Sequence, residues 1–212
     1  MNLTRRERQM RLLIVTLLLV LSPGAAFALC GGPLNFNKFD RPMDYNSPED
    51  RRMLPTVERA HFTAEVEALI RGINGELPGD IDYTLYQFPN HYRALNAMAR
   101  WQLKNPRPAS ATYLTIDCYF ERAVSFRPQD ATLYFLYAIY LHSAKRLDDA
   151  QKAYEKAEEL GGGVSPEFHY NLGLLYFDQK KYDLAKARAE KAYGMGYPLP
   201  GLRNKLKRAG VM

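Results

Sequence analysis

Residues 166–198 read PEFHYNLGLLYFDQKKYDLAKARAEKAYGMGYP, and residues 131–163, ATLYFLYAIYLHSAKRLDDAQKAYEKAEELGGG, follow the same plan 35 positions earlier. Tyr134, Tyr137, Ala138, Leu141, Ala150 and Ala157 recur as His169, Leu172, Gly173, Tyr176, Ala185 and Ala192. A fixed period in this range signals stacked supersecondary units, none of which buries its apolar face alone. Such a chain presents a surface.

Each unit reads as two helices. Ser165 followed by Pro166 is a helix start, because the hydroxyl caps free N–H groups and proline's fixed φ suits the first turn. His169, Leu172, Gly173 and Tyr176 then fall on one stripe at i, i+3, i+4 and i+7. Gly173 costs about 1 kcal/mol of helix propensity, which makes sense where another backbone approaches closely. A turn at Gln179–Tyr182 leads to a second helix with Ala185, Ala189 and Ala192, closed by Gly194 and Gly196. In the earlier unit Asp130 caps, Lys145 and Arg146 turn, and Gly161–Gly163 stop the second helix.

The two units resemble the tetratricopeptide repeat family, whose pattern is W-x2-L-G-x2-Y, then A-x3-F, then P. Leu172, Gly173, Tyr176 and Ala185 match, His169 and Ala189 replace the Trp and the Phe, and Pro198 stands near the closing Pro. The resemblance implies an all-α, right-handed solenoid of helical hairpins. It covers 131–198 and thins upstream. Ile116, Phe120 and Ala123 form the second helix of a degenerate unit whose first helix carries Tyr92, Leu95, Asn96 and Ala99. Within 57–130 a further stripe of Phe62, Val66, Leu69, Ile70 and Ile73 precedes a break at Pro78-Gly79. At the other end, residues 199–212 form a capping helix striped by Leu199, Leu202 and Leu206. A basic surface for anionic lipid or glycan is the other reading of its cations.

Residues 1–28 have the form of a secretory signal. Four arginines precede the apolar run Leu12–Leu21, and Ala26-Phe27-Ala28 is an A-x-A site. Export with cleavage before Leu29 is expected; retention as an inner-membrane anchor is the alternative, although ten residues are short for a bilayer of ~30 Å. Removing this segment lowers the net charge from +6 to +3, which weakens any case for nucleic-acid binding. In an oxidising compartment the even cysteine count points to a Cys30–Cys118 disulfide, with two thiols as the alternative. Residues 29–56 hold four prolines but also Phe36, Phe39, Met43 and Tyr45, and read as an irregular arm lying on the helices.

No catalytic pattern emerges. The four histidines lack metal-ligand spacing, and no G-x-S-x-G, P-loop or dinucleotide pattern is present. His169 reads as a buried, hydrogen-bonded core residue. The expected function is therefore non-enzymatic and cofactor-free: an exported adaptor or scaffold of a periplasmic or cell-envelope assembly. The alternative is an accessory subunit of an envelope enzyme or secretion machine.

The resemblance implies that a protein partner docks on the inner face of the first helices. On the degenerate unit that face carries Asn90, Arg93, Ala97, Arg100 and Trp101. On the two full repeats it carries Phe135, Ile139 and His142, then Tyr170, Leu174 and Phe177. One difficulty is visible already. Ala131–Leu141 is apolar nearly all round, and such a helix is normally covered on every side. Either a partner hides Phe135 and Ile139, or the arm inserts Phe36 or Phe39.

Overall fold

The computed structural model describes Cys30, residues 41–108 and residues 110–211. The chain divides into two compact units, Met1–Asn35 and Phe36–Met212. Residues 1–28, Phe36 and Phe39 lie outside the described residues. Both Cys30 and Cys118 are in disulfide linkage, as the even count leads one to expect.

The second unit is all-helical among the described residues. A 3-10 turn at Asp50–Arg52 precedes α1 (Leu54–His61), α2 (Ala64–Glu67), α3 (Leu77–Gln87), α4 (Tyr92–Lys104) and α5 (Ile116–Phe126). Then come α6 (Ala131–Ser143), α7 (Leu147–Glu159), α8 (Pro166–Asp178), α9 (Tyr182–Gly194) and α10 (Gly201–Arg208). Consecutive helices pack together as in helical hairpin repeats, most intimately α6 with α7 and α8 with α9.

The starts of the repeats follow the sequence signals. Ser165 Oγ accepts the Phe168 N–H at 3.1 Å and Asp130 Oδ1 accepts the Thr132 N–H at 3.0 Å, satisfying donors that the first turn leaves free. The hairpin turns hold a feature that propensity hides: Lys145 and Lys180, one period apart, adopt φ of 63° and 61°. Each turns the chain in the left-handed region, where an L side chain is strained.

Helix α6 belongs to two apolar clusters. Ala138 and Leu141 pack with Ala150, Tyr154, Phe168, Leu172 and Leu175. Leu133 packs with Leu95, Met98, Ile116, Phe120 and Ala123. Phe120 stacks on Tyr137 at 4.7 Å between ring centroids, and on the other side Phe135 meets Phe168 at 5.3 Å. The all-round apolar helix is thus flanked by α5 and by α8, elements of its own unit.

Upstream, three readings need correction. Phe62 to Ile73 does not form one striped helix: α1 ends at His61, α2 is a single turn, and Leu69 takes φ of 61°. Phe62 and Val66 are buried, but Ile70 is 70 % exposed and Ile73 also faces solvent. Pro78 does not break the chain; it sits in the first turn of α3, where its missing N–H costs nothing. The second half of the arm is also more regular than its prolines suggest, since α1 starts at Leu54 with Pro55 in its first turn. Met43 and Tyr45 pack against Leu54, Val57 and Phe88. Tyr45 N–H donates to Asn90 Oδ1 at 2.9 Å and Met43 N–H to the Gln87 carbonyl at 2.9 Å.

The capping helix α10 docks through Leu202 and Leu206, both fully buried, whereas Leu199 precedes the helix and stays exposed. Gly173 is what lets it approach. A Cβ there would stand 2.5 Å from Leu202 Cδ2 and 3.3 Å from Arg188 Cβ.

Two stability predictions follow from this packing. Gly173→Leu should lower stability by about 1–3 kcal/mol or more through overpacking. Gly173→Ala should stay within about 1 kcal/mol of wild type, because the gain in propensity offsets a displaced Leu202. Equal melting temperatures for the Leu variant and wild type would mean that α8 and α10 do not meet there. Lys145→Gly and Lys180→Gly should each stabilise by roughly 0.5–1 kcal/mol, the relieved strain minus the added freedom of the unfolded chain. Chemical denaturation of the single variants checks both.

Candidate functional site

The eleven side chains expected on the docking face divide into two groups. Those on α4 are engaged within the chain. Arg93 bonds the Glu67 carboxylate through Nε, at 2.8 Å, and through Nη2, and it reaches Glu58 Oε1 at 3.0 Å. Arg100 donates to the Glu67 carbonyl at 2.5 Å. Together they clasp α1 and α2 onto α4. The hydrogen bond from Arg93 holds the Glu67 carboxyl below its ordinary range. Trp101 lies edge-on to Tyr113 at 5.6 Å, packed against the 105–115 loop. Asn90 and Ala97, which shared the expected face, are fully buried. Asn90 donates to Asp44 Oδ1 at 2.6 Å and so anchors the 43–46 segment instead.

The second group does assemble, along the neighbouring helices α6 and α8. Phe135 packs between Tyr154 at 6.0 Å and Phe168 at 5.3 Å. His142 Nε2 lies 3.0 Å from Asp178 Oδ2. Tyr170 is buried under Tyr197 at 4.4 Å, and its hydroxyl occupies the space that a side chain at Gly201 would need. Phe177 touches Tyr182 and lies beneath the Lys205 ammonium at 5.2 Å from the ring centre. Between the Phe135–Phe168 contact and the His142–Asp178 bond, Ile139 and Leu174 are left half-buried.

Asp178 organises this region, and nothing in the repeat pattern singled it out. It accepts from His142 and from Lys205, the latter at 3.2 Å, with Lys145 at 3.8 Å. Burial raises its carboxyl, but the bonds from His142 and Lys205 outweigh that and leave it below the usual carboxylate range. One acid therefore joins α6, α8 and α10. His169 is buried as expected. Its Nδ1 lies 3.3 Å from Arg188, which also grips Glu158 at 2.6 and 2.9 Å and so ties α7 to α9.

Sequence reasoning also missed His91. It is fully buried, ringed by Tyr45 at 4.5 Å and Phe62 at 4.9 Å. Its Nδ1 accepts the Ala94 N–H at 3.1 Å, which caps α4, and Nε2 faces Glu58 Oε1 at 3.1 Å. This geometry requires the neutral ring with its proton on Nε2. Burial, reinforced by the nearby Arg93 charge, pushes its pKa down to about 4. No substrate could reach it, so the shift is a structural consequence. A histidine directly before a helix start was the available signal.

Compared with known families, residues 166–195 match the family model for the tetratricopeptide repeat. The match contains all of α8 and all of α9. Neither the curated proteins nor the solved structures contain a match to this chain. Repeats of this family are in general non-catalytic.

His91 gives the fold a measurable pH dependence. The unfolded chain takes up this proton near pH 6.5 and the folded one only near 4. Between those values the unfolded state binds more protons, so stability falls as pH falls, by at most about 1.4 kcal/mol per unit from this group. Above 6.5 the group contributes no slope. His91→Asn keeps a capping acceptor without the titration. Denaturation near pH 7 and near pH 5 should show a loss in wild type that is clearly smaller in the variant.

Proposed function

We propose that this chain, in which residues 166–195 are a tetratricopeptide repeat, is a protein–protein interaction module acting as an adaptor or scaffold outside the cytoplasm. The repeat itself carries the reading, since modules of this kind typically bind protein partners. Export rests on the signal-like residues 1–28 and is consistent with the disulfide linkage of both cysteines.

The docking strip we propose is the face shared by α6 and α8, centred on Ile139 and Leu174. Both pack against the apolar cluster yet stay half-buried, flanked by Phe135 at one end and by the His142–Asp178 bond and Phe177 at the other. An apolar strip with charged margins suits a partner helix or extended segment that adds its own apolar residues. Arg93, Arg100 and Trp101 act at most at the edge, because their polar and ring contacts are made within the chain.

The test is to crosslink and co-purify the exported protein from envelope fractions, comparing wild type with Ile139→Glu/Leu174→Glu. A partner captured by wild type and lost from the variant at unchanged melting temperature supports the strip. An identical captured set removes it. Phe135→Ser is the wrong probe, since it opens the packing on Phe168 and Tyr154 and should cost about 3 kcal/mol or more of stability.

A further inference from the structure

The charge of this chain is divided along its length. Residues 29–178 hold sixteen basic and twenty acidic side chains, whereas residues 179–212 hold nine basic and two acidic ones. Of those nine cations, only Arg188 and Lys205 reach a carboxylate within salt-bridge distance, at Glu158 and Asp178. Lys180, Lys181, Lys186, Lys191, Arg203, Lys207 and Arg208 form no salt bridge among the described residues. Upstream the share is larger: seven of the fifteen basic side chains of residues 41–178 form one, namely Arg41, Arg71, Arg93, Arg127, Lys145, Arg146 and Lys156.

The unpaired charges are gathered on one end of the fold. Helix α10 turns Leu202 and Leu206 inward and leaves Arg203, Lys207 and Arg208 exposed. Lys205 reaches Asp178, so the last turns of α10 lie beside the α8–α9 turn that carries Lys180 and Lys181. Exposed apolar side chains adjoin these cations. Leu199 is 53 % and Met195 48 % exposed. Tyr193 holds that corner together, donating from its hydroxyl to the Leu199 carbonyl and accepting the Arg203 N–H, both at 3.0 Å, with the Arg203 guanidinium 4.0 Å over its ring.

We infer that the α9–α10 end is a peripheral docking surface for an anionic lipid bilayer. Most of the unpaired cations are lysines, compact hydrated charges suited to a diffuse anionic surface rather than to the bidentate geometry of a single recognised group. Leu199 and Met195 supply the shallow apolar contact that a lipid interface accepts and that a purely electrostatic partner does not use. Because the apolar face of α10 is occupied by its own fold, the contact is adsorption, with no insertion of the helix. This goes beyond the partner strip on α6 and α8, and uses none of its residues.

The experiment is co-sedimentation of the full chain with phosphatidylcholine vesicles, with and without phosphatidylglycerol. Residues 1–28, whose four arginines also favour anionic vesicles, are common to every variant, so the readout is the change in the anionic increment between wild type and variant. That increment should be large at low salt and fall as salt rises. The exposed triple variant Arg203→Gln/Lys207→Gln/Arg208→Gln should reduce it by about 100-fold, roughly fivefold per charge. Leu199→Ser/Met195→Ser should reduce it severalfold and leave the salt dependence in place. Circular-dichroism melts that match wild type show that the variants are folded, and Leu202 and Leu206 remain in all of them. Equal binding to both vesicle types, or a triple variant with the wild-type increment, overturns the proposal. An increment indifferent to Leu199→Ser/Met195→Ser overturns it as well, and reassigns the surface to a soluble polyanion such as an acidic protein or RNA.

Discussion

The arrangement of the helical unit depends on one constraint: α6 is apolar nearly all round and has to be covered on more than one side. A helix of this type cannot sit at the edge of a bundle without exposing a large apolar area. Here Phe120 of α5 stacks on Tyr137 on one side while Phe168 of α8 and Tyr154 of α7 close on Phe135 on the other. The degenerate upstream helices and the well-formed repeats are thereby joined through a single element that contributes to both apolar clusters. Much of the face that a repeat of this kind could offer to a partner is consumed in the joint. What remains is narrow.

Single acids then tie several elements each. Asp117 accepts from the Tyr137 hydroxyl at 2.8 Å and from Arg146 at 2.6 Å, joining α5, α6 and the α6–α7 turn. Asp130 accepts from the Tyr92 hydroxyl at 2.6 Å and from Asn46 at 3.1 Å, bringing α4 and the 43–46 segment to the start of α6. Asp178 and Glu158 do the same among α6 to α10. Isolated exposed ion pairs add little stability, but a carboxylate that is partly buried and shared by several donors fixes relative position. Burial and the bond to Asp117 together push the Tyr137 hydroxyl well above its ordinary range. Perturbed groups in this protein thus mark joints between helices.

The same economy of joints explains the two surfaces assigned a role. Where cations are matched by acids, as at Arg93 with Glu67 or Arg188 with Glu158, they are structural. Beyond Asp178 such matching is sparse: apart from Arg188 and Lys205, the cations of α9 and α10 reach no carboxylate among the described residues. The two surfaces proposed above, a partner strip on one pair of helices and a basic end on another, would let rigid elements hold a partner close to an anionic surface.

The sequence by itself determined the period, the hairpins and the capping helix. The spacing of Leu172, Gly173 and Tyr176, the Ser165 and Asp130 caps and the alanine stripe of α9 depend on local geometry, which a 3.6-residue repeat expresses in one dimension. It also showed that α6 would need covering. Only the tertiary structure decided by what. Whether Phe135 meets a partner, an arm or Phe168 is a matter of long-range packing, and no local preference distinguishes the three. The stripe drawn from Phe62 to Ile73 failed for a related reason: a left-handed residue at Leu69 and competing burial of Phe62 and Val66 override a periodicity that five residues can show by chance. The structural roles of Asn90, His91 and Asp178 were missed because a polar side chain's role is set by the partner that folding brings to it. The Asp178 carboxylate meets His142 from 36 residues away and Lys205 from 27, and such pairings exist only once the helices have stacked.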